Sequence, residues 1–188
     1  SAVVRNVELT EEDLKEVINV QEVLHQGIGR NRRKVSIGIH DLDKIRPPVH
    51  YVAAEPDVVS FKPLGIDRRM TLKEILKEVD KGLEYGHIIK GFDRYPVIID
   101  STGEVLSFPP IINSELTRLT PETRNLFIDV TALDEYYASR ALNILLYVFK
   151  DMGGSIEAVK IIYDDGSEKT FPDFTPRIMS VEAGYVNF

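Results

Sequence analysis

Two polar side chains stand two residues apart in an otherwise apolar segment, residues 125–132 (Asn-Leu-Phe-Ile-Asp-Val-Thr-Ala). Alternate side chains of a strand point to opposite faces, so a strand here puts Asp129 and Thr131 on the same face. A buried carboxylate is costly unless it is paired or hydrogen-bonded. The pattern therefore predicts a pocket that holds a hydroxyl. The alternative is that Asp129 binds a nearby loop backbone or an arginine.

A second segment, residues 106–114, runs from an apolar strand into Pro109 and Pro110. Proline cannot donate to a strand ladder, so the chain must leave the sheet there in an extended form. Such an exit exposes backbone groups, and Asn113 adds an amide with donors and an acceptor. We interpret this exit as one wall of a site, with Ser107 before it. The alternative is an edge strand followed by a turn.

Two charged clusters also admit a functional interpretation. The densest positive charge of the chain lies in a short run that could contact phosphates or form a solvated loop: Arg30, Arg32, Arg33 and Lys34. The run His40, Asp41 and Asp43 could bind a metal, but a strand end followed by solvated acids is the interpretation that we favour.

Common catalytic motifs are absent from the sequence. The glycines never form a phosphate loop or a dinucleotide fingerprint, no GxSxG elbow occurs, and no two of the four histidines are four residues apart. The chain has no cysteine, which excludes disulfides, zinc fingers and thiol nucleophiles. With no dedicated nucleophile in view, we expect any hydrolysis to use a positioned water, with backbone donors near residues 107–113 stabilising the oxyanion.

Composition sets further bounds. The chain has 188 residues, 23 basic and 30 acidic side chains, and a formal charge of −7. This balance argues against a surface that grips nucleic acid everywhere, but it is compatible with a pocket for the end of one strand. No apolar run approaches ~18–20 residues, so no membrane contact is predicted. The absence of cysteine favours a cytoplasmic protein.

Helices and strands are interspersed along the chain. A capping box at Thr10 and another at Thr71 begin two helices, the first with Leu14, Val17, Ile18 and Leu24 on one face. Asp134 begins a long helix that ends near Met152. The remaining elements are a helical piece over residues 82–90, a helical turn at 120–122, and strands over residues 35–40, 49–54, 58–63, 96–100, 104–108, 126–131, 156–163 and 168–171.

Hairpins with helices between them predict an α+β fold, a largely antiparallel mixed sheet with packed helices in a single domain. We expect one domain over residues 1–188. The segment 172–188 carries no capping or stop signal, and we interpret it as a tail that leads toward a next domain of a longer protein.

Four blocks give the sequence a family resemblance: residues 24–32, 37–44, 95–113 and 125–134. They cover most of the chain, and Pro-Pro-Ile-Ile-Asn at 109–113 is the most specific. On these blocks the chain resembles the editing domain of the phenylalanyl-tRNA synthetase beta subunit, of the archaeal and eukaryotic type.

The resemblance implies an editing activity, hydrolysis of the ester of mischarged tyrosyl-tRNA(Phe). An apolar pocket rejects an added hydroxyl poorly, by about 10²-fold, whereas a site that hydrogen-bonds a hydroxyl can discriminate by roughly 10⁴–10⁵-fold. Asp129 and Thr131 are the residue types that such a second site needs. An alternative function is a non-catalytic module that docks tRNA or serves the architecture of the synthetase.

The resemblance and the residue types together predict site residues in three groups. The catalytic candidates are Asn113, Ser107 and His40, and the amino-acid specificity candidates are Asp129, Thr131 and Pro110. The tRNA-binding candidates are Arg30, Arg32 and Arg33. The bacterial branch of the family has a histidine near the ester where this chain has Gly38, so Gln21, His25 and His40 are considered as replacements.

The resemblance also implies partners: the acceptor end of mischarged tRNA(Phe), and the synthetase alpha subunit in a heterotetramer. No metal or cofactor is expected for editing, since ATP and magnesium would belong to the rest of the synthetase.

Overall fold

A computed structural model describes residues 1–176 and 178–186 of the chain. Its helices begin where the capping residues predict. Thr10 and Thr71 each accept a hydrogen bond from the backbone three residues on, and the acidic side chains of Asp13 and Glu74 bond back to the cap. Asp134 caps the longest helix through the backbone N–H of Tyr136.

The helices are α1 (Glu11–Gln26), α2 (Leu72–Glu78), α3 (Asp80–Tyr85), α4 (Glu135–Asp151) and α5 (Ala183–Val186). The strands are β1 (Ala2–Arg5), β2 (Val35–Asp41), β3 (His50–Ala54), β4 (Ser60–Phe61), β5 (Met70–Thr71), β6 (Tyr95–Ile99), β7 (Val105–Phe108), β8 (Ile112–Asn113), β9 (Leu126–Ala132), β10 (Ser155–Ile162) and β11 (Glu168–Phe171). Short 3₁₀ turns span Leu42–Lys44, Gly86–Ile88 and Glu115–Thr117.

A five-stranded antiparallel sheet, in the order β11-β10-β1-β9-β2, forms one side of the molecule. One face of this sheet packs against α1 and α4. The core between them contains residues from the sheet, such as Ile37, Leu126 and Ile128, together with Val17 of α1 and Phe149 of α4. This packing leaves the other face of the sheet free to meet a second layer.

A four-stranded antiparallel sheet, in the order β3-β6-β7-β8, provides that layer. Its outer face packs with α2 and the small β4-β5 sheet around Phe61, Leu72 and Phe108. Its inner face meets the five-stranded sheet through a third cluster, in which Phe127 of β9 packs with Ile98 and Leu106. The two sheets therefore face one another, with apolar contact along part of the interface.

The predicted α+β class and single domain are confirmed, with packed helices and antiparallel strand pairing. The strands of the described residues form three separate sheets, however, rather than one mixed sheet. Both predicted hairpins form, as β6-β7 and β10-β11.

Several local predictions need correction. The sequence does not predict strands β1, β5 and β8, because each has only a few residues and gains its stability from neighbouring strands. The strand predicted over residues 58–63 shrinks to β4, the helix over 82–90 is α3 followed by a 3₁₀ turn, and residues 120–122 form a turn. Ile18 is 52% exposed rather than packed with Val17.

The bounds of this domain, residues 1–188, and the interpretation of residues 172–188 as a tail leading toward a next domain stay predictions. Arg177, Asn187 and Phe188 of that tail lie outside the described residues. No helix among the described residues is long and apolar enough to cross a membrane.

Candidate functional site

Asp129 lies on β9 and is 4% exposed. Its neighbours Leu126 and Ile128 point into the helix-side core, so Asp129 points to the opposite face, toward the four-stranded sheet. The strand and its alternation are as the sequence predicts. The question that follows is what satisfies a carboxylate buried at this depth.

His40, on the neighbouring strand β2, is the partner of that carboxylate. Its Nε2 lies 2.8 Å from Asp129 Oδ2, and its Nδ1 lies 2.7 Å from the hydroxyl oxygen of Thr117. His40 is fully buried and Thr117 is 1% exposed. A carboxylate can only accept, so Nε2 donates to Asp129, and the ring is held at both nitrogens. His40 therefore serves Asp129 rather than facing solvent as a free base.

Gly38 makes room for this pair. It lies directly across from Asp129 in the β2-β9 ladder. A Cβ atom on Gly38 would stand 2.1 Å from Asp129 Oδ2 and 2.6 Å from His40 Nε2. The hydrogen bond therefore passes over the glycine, and a larger residue at this position would displace one of its two partners.

The second oxygen of the carboxylate is open. Oδ1 of Asp129 makes no hydrogen bond within the described residues. It is also not sealed from solvent: the fully buried side-chain polar atoms without a partner in this part of the chain are Arg32 Nε and Asn143 Oδ1. One oxygen is thus fixed by His40, and the other is an acceptor without a partner among the described residues.

A row of four residues crosses the facing sheet. In its register Tyr51 pairs with Ile98, Ile98 with Ser107, and Ser107 with Asn113. Directly paired residues share a face, so this row presents two polar side chains, an apolar one and a phenol on the same side. A bulge on β7 leaves Leu106 unpaired beside Ser107, and both point inward, as the packing of Leu106 with Phe127 shows.

Three observations show that this row faces Asp129. Desolvation, with the negative charge of Asp129 as the second and smaller cause, raises the pKa of Tyr51, although the residue is more than half exposed. The Asn113 side-chain amide points at Ile39 O of β2 over a long 3.5 Å contact. Phe127, two residues before Asp129, packs on Ile98. The predicted meeting of Ser107, Asn113 and Asp129 therefore has a structural basis in two facing rows.

Ser107 and Asn113 differ in what they can offer. Ser107 is 4% exposed, and its hydroxyl makes no side-chain hydrogen bond in the described part of the chain. No base stands beside it, because His40 is occupied on both nitrogens. Asn113 has one weak contact and so keeps donor capacity on its amide nitrogen. This set suits the binding of a carbonyl and a water better than attack by the serine.

The backbone between the two residues cannot supply the predicted oxyanion donors over its whole length. Pro109 and Pro110 have no N–H. The N–H of Ile111 donates to Phe108 O at 2.7 Å. Residues 109–111 therefore offer no free backbone N–H, and the Asn113 amide and the Ser107 hydroxyl are side-chain donors on this side.

Arg32 binds the loop that connects Ser107 and Asn113. Its Nη1 donates to the carbonyls of Pro110 and Ile111, at 3.2 and 3.0 Å, and its Nη2 donates to Glu22 at 2.7 Å. The guanidinium also lies 4.5 Å from the centre of the Tyr85 ring, and the side chain is 9% exposed. Its Nη1 and Nη2 donors are committed within the chain, and the role of Arg32 in binding tRNA stays a prediction. Arg30 and Arg33 are exposed and stay candidates.

Gln21 and His25 do not reach the site as water-positioning groups. Both bind the backbone of Ile37 on the outer edge of β2. The Gln21 amide donates to Ile37 O at 2.8 Å, and the N–H of Ile37 donates to His25 Nε2 at 2.9 Å. They close the edge of the strand that carries Gly38 and His40, which explains their burial on α1.

The other predicted site residues have mixed surroundings. Thr131 is half-buried on the Asp129 face and lies across from Ser36. Pro110 is buried, with its carbonyl bonded to Arg32. Asp41 accepts from the backbone of Asp43, and the two carboxylates also accept from Thr123 and Asn125, which precede β9. No group of three or more metal-ligating side chains occurs among the described residues.

The sequence did not predict the roles of four members of this site. They are Gly38, which leaves space for the His40–Asp129 hydrogen bond, Thr117, Tyr51 and Ile98. Period-two alternation in residues 49–54 marks Tyr51 as a strand residue, but only the register across β3 and β6 aligns it with Ile98. No local signal in the sequence connects Thr117 with His40, which are 77 residues apart.

Comparison with known proteins assigns this chain to a family. The model of the B3/4 domain matches residues 9–145. Phenylalanine–tRNA ligase beta subunits of archaea are close relatives: the protein of Archaeoglobus fulgidus is 49% identical over 185 residues, and that of Methanococcoides burtonii is 48% identical over 181 residues. These alignments cover 98% and 96% of this chain. The chain spans about a third of each relative, 33% in both cases.

A solved structure agrees with the sequence matches. The crystal structure of an N-terminal fragment of the phenylalanyl-tRNA synthetase beta subunit from Pyrococcus horikoshii superimposes with a TM-score of 0.94 at 46% identity. The match covers 99% of this chain and 53% of that fragment. The resemblance predicted from the four sequence blocks is confirmed: the chain belongs to the B3/4 domain family, in the form found in the N-terminal part of archaeal phenylalanyl-tRNA synthetase beta subunits.

Proposed function

We propose that this chain edits mischarged tRNA by hydrolysing the ester of tyrosyl-tRNA(Phe). The observation that carries the proposal is the carboxylate of Asp129, buried between two sheets with Oδ2 bonded to His40 and Oδ1 free. An acceptor of this kind suits the phenolic O–H of tyrosine. Phenylalanine would leave it unpaired, which is the basis of strong discrimination.

The reaction needs a water and a donor near the ester. Ser107 and Asn113 stand in one row on the sheet opposite Asp129, with Ile98 beside them as an apolar surface for the ring. In the proposed mechanism the hydroxyl of Ser107 and the amide of Asn113 hold the carbonyl and a water, and the water attacks the ester carbon. The bond from that carbon to the ribose oxygen then breaks, and a proton of the water passes to this oxygen. Tyrosine and the free tRNA end are the products.

The surface charge supports an acceptor-end substrate. Arg30 and Arg33 are exposed beside the buried Arg32, and neither takes part in an ion pair within the described residues. They would contact phosphates of the tRNA end while the terminal ester enters between the sheets. The alpha subunit and a cytoplasmic location follow from the same family assignment as parts of this proposal, with ATP and magnesium used elsewhere in the synthetase.

The second candidate is a module that docks tRNA without hydrolysis. The exposed Arg30 and Arg33 favour it, since they would serve docking equally well. The two candidates differ in the need for the Asp129 pocket.

Hydrolysis of tyrosyl-tRNA(Phe) and of phenylalanyl-tRNA(Phe), measured with the complete synthetase that contains this chain, tests the proposal. The editing function predicts faster loss of the tyrosyl ester, and deletion of this domain should abolish that loss while aminoacylation continues. Equal, background-level loss of both esters, with tRNA binding intact, would favour docking.

A further inference from the structure

His40 has a role that follows from how both ring nitrogens are used. It is fully buried, and it joins three elements: β2, which carries it, β9 through Asp129, and the 3₁₀ turn Glu115–Thr117 through Thr117. A general base needs a nitrogen that can reach a water or a substrate proton. Neither nitrogen of His40 has that freedom, so its part in the reaction must be indirect.

We propose that His40, held by Thr117 and seated over Gly38, is a positioning residue that selects which oxygen of Asp129 meets the amino-acid substrate. The inference rests on the proposed editing function and goes beyond it by assigning the specificity of the site to three residues behind the carboxylate. Asp129 touches the substrate in this account, and the other three act through it.

Geometry supports each step. The bond from Nε2 to Oδ2, at 2.8 Å, fixes the rotation of the carboxylate about its last side-chain bond. The bond from Nδ1 to Thr117, at 2.7 Å, fixes the ring, so that the donor cannot swing away. Gly38 removes the Cβ that would otherwise lie 2.1 Å from Oδ2.

Burial makes the arrangement specific. With Oδ2 satisfied by His40, Oδ1 is the acceptor left over, and it is the atom that stays accessible. A carboxylate free to rotate could satisfy itself with water or with Tyr51, and would discriminate less between a ring with a hydroxyl donor and a ring without one. The fixed carboxylate therefore predicts selectivity for a donor at one end of the amino-acid ring.

Matched substitutions test the role of the ring. The replacements are His40→Leu, which removes the donor, and His40→Gln, whose amide nitrogen can take the place of Nε2. The readout is the ratio of tyrosyl to phenylalanyl ester hydrolysis by the complete synthetase. We expect His40→Leu to lower this ratio about 10-fold or more, the worth of a charge-assisted hydrogen bond, and His40→Gln to keep it within about 3-fold. His87→Gln, on an exposed turn, is the control.

A second pair covers the case in which His40→Leu does not fold. Thr117→Val removes the hydroxyl at nearly constant shape, and Thr117→Ser keeps it. The expected result is a ratio lowered about 3-fold in the valine variant, on the scale of one neutral hydrogen bond, and unchanged in the serine variant. The ¹⁵N spectrum of the His40 ring in the isolated chain should show a proton on Nε2.

The outcomes are distinguishable. A wild-type synthetase without preference for the tyrosyl ester contradicts the editing function, and this inference with it. A wild type that has the preference, with His40→Leu and Thr117→Val retaining it fully, contradicts only the inference. A ring protonated on Nδ1 alone, with a bare Nε2 toward Asp129, also overturns it.

Discussion

The two sides of the candidate site are held in different ways. On the five-stranded sheet, side chains lock Asp129 in place through His40 and Thr117. On the four-stranded sheet, within the part of the chain that the structure describes, the Ser107 hydroxyl has no hydrogen-bond partner and the Asn113 amide has one long contact of 3.5 Å. What fixes this second side is backbone, because Arg32 binds the carbonyls of the loop between Ser107 and Asn113.

The difference suits a site with two tasks. A group that reads the substrate must be rigid, since discrimination depends on a fixed acceptor with no alternative partner. Groups that bind a carbonyl and a water need open hydrogen-bonding positions before the substrate arrives. The comparison teaches that substitutions near Asp129 should lower the selectivity between the two esters. Substitutions that affect the loop between Ser107 and Asn113 should instead slow the hydrolysis of both esters.

Replacing the Arg32 guanidinium, which binds two carbonyls and Glu22, should have the largest effect on stability. Arg32→Lys keeps the charge but cannot bond two carbonyls and Glu22 together. We expect a stability loss of about 2–3 kcal/mol, or a melting temperature lower by about 5–10 °C. Slower hydrolysis of both esters should accompany it, with their ratio unchanged.

Arg33→Lys is the matched control for Arg32→Lys, because Arg33 is exposed in the same loop. Its free energy of unfolding, derived from thermal melts followed by circular dichroism, should stay within about 0.5 kcal/mol of the wild-type value. A ratio of the two esters that drops in Arg32→Lys would break the separation between the two sides.

Gly38→Ala, unlike Arg32→Lys, should change the ratio of tyrosyl to phenylalanyl ester hydrolysis. The added methyl overlaps the His40–Asp129 bond, so we expect a destabilisation of about 1–3 kcal/mol and a marked drop in the tyrosyl-to-phenylalanyl ratio. Gly91→Ala, which adds its methyl to open space, should change neither quantity. Thermal melts and ester hydrolysis on the same two proteins make the comparison, and an unchanged ratio in Gly38→Ala would argue against the fixed carboxylate.

Acid should destabilise the protein at the edge of β2, by a smaller free energy than these substitutions do. Burial lowers the pKa of His25, against the opposing effect of the hydrogen bond that its Nδ1 donates to Glu22, and Nε2 must stay unprotonated to accept from Ile37. Because the folded-state pKa lies below the unfolded one, this contribution is complete above pH ~6.5 and is lost as the pH falls through the folded value.

Glu22 lies at the same edge, and its pKa is also lowered in the folded protein, so its contribution to stability is likewise lost in acid. The hydrogen bond from His25, together with the charge of Arg32, holds the pKa of Glu22 at about 2, so its contribution is lost only in strong acid. Between pH 7 and 5 His25 should dominate, at no more than about 1.4 kcal/mol per pH unit. Denaturant melts of wild type and His25→Gln check this, and an equally steep pH dependence in the variant would contradict it.

The smallest effect is expected at the exposed arginines. Removing one phosphate contact through Arg33→Ala or Arg30→Ala should weaken tRNA binding modestly and reduce the salt dependence by about one ion. Hydrolysis of a short aminoacyl ester, which lacks the tRNA body, should not change. Binding titrations over a range of salt concentrations supply the test, and an unaltered salt slope would leave these arginines without a role.

Local pattern was enough for much of this fold. The capping boxes at Thr10 and Thr71, the alternation around Asp129 and both hairpin turns are short-range signals, and each was predicted from neighbours in the chain. The pairing of Asp129 with a buried partner also follows from the cost of burying a charge.

The partners themselves could not be predicted, for a physical reason. His40 and Asp129 are 89 residues apart, and their meeting depends on the β2-β9 register. The bulge beside Ser107 turns Leu106 inward against simple alternation. Arg32 looks like its neighbours in sequence, and only the fold distinguishes the one guanidinium that turns inward.

The most direct measurement of the central claim is a crystal structure of the chain with a non-hydrolysable tyrosyl-adenosine amide bound. We predict that the phenolic oxygen lies about 2.5–2.7 Å from Asp129 Oδ1, the distance of an O–H bond to a carboxylate, while Oδ2 stays bonded to His40. The amide carbonyl should then lie within reach of Ser107 and Asn113. A phenol bound elsewhere, or a ring that enters with Asp129 unoccupied, would contradict the account.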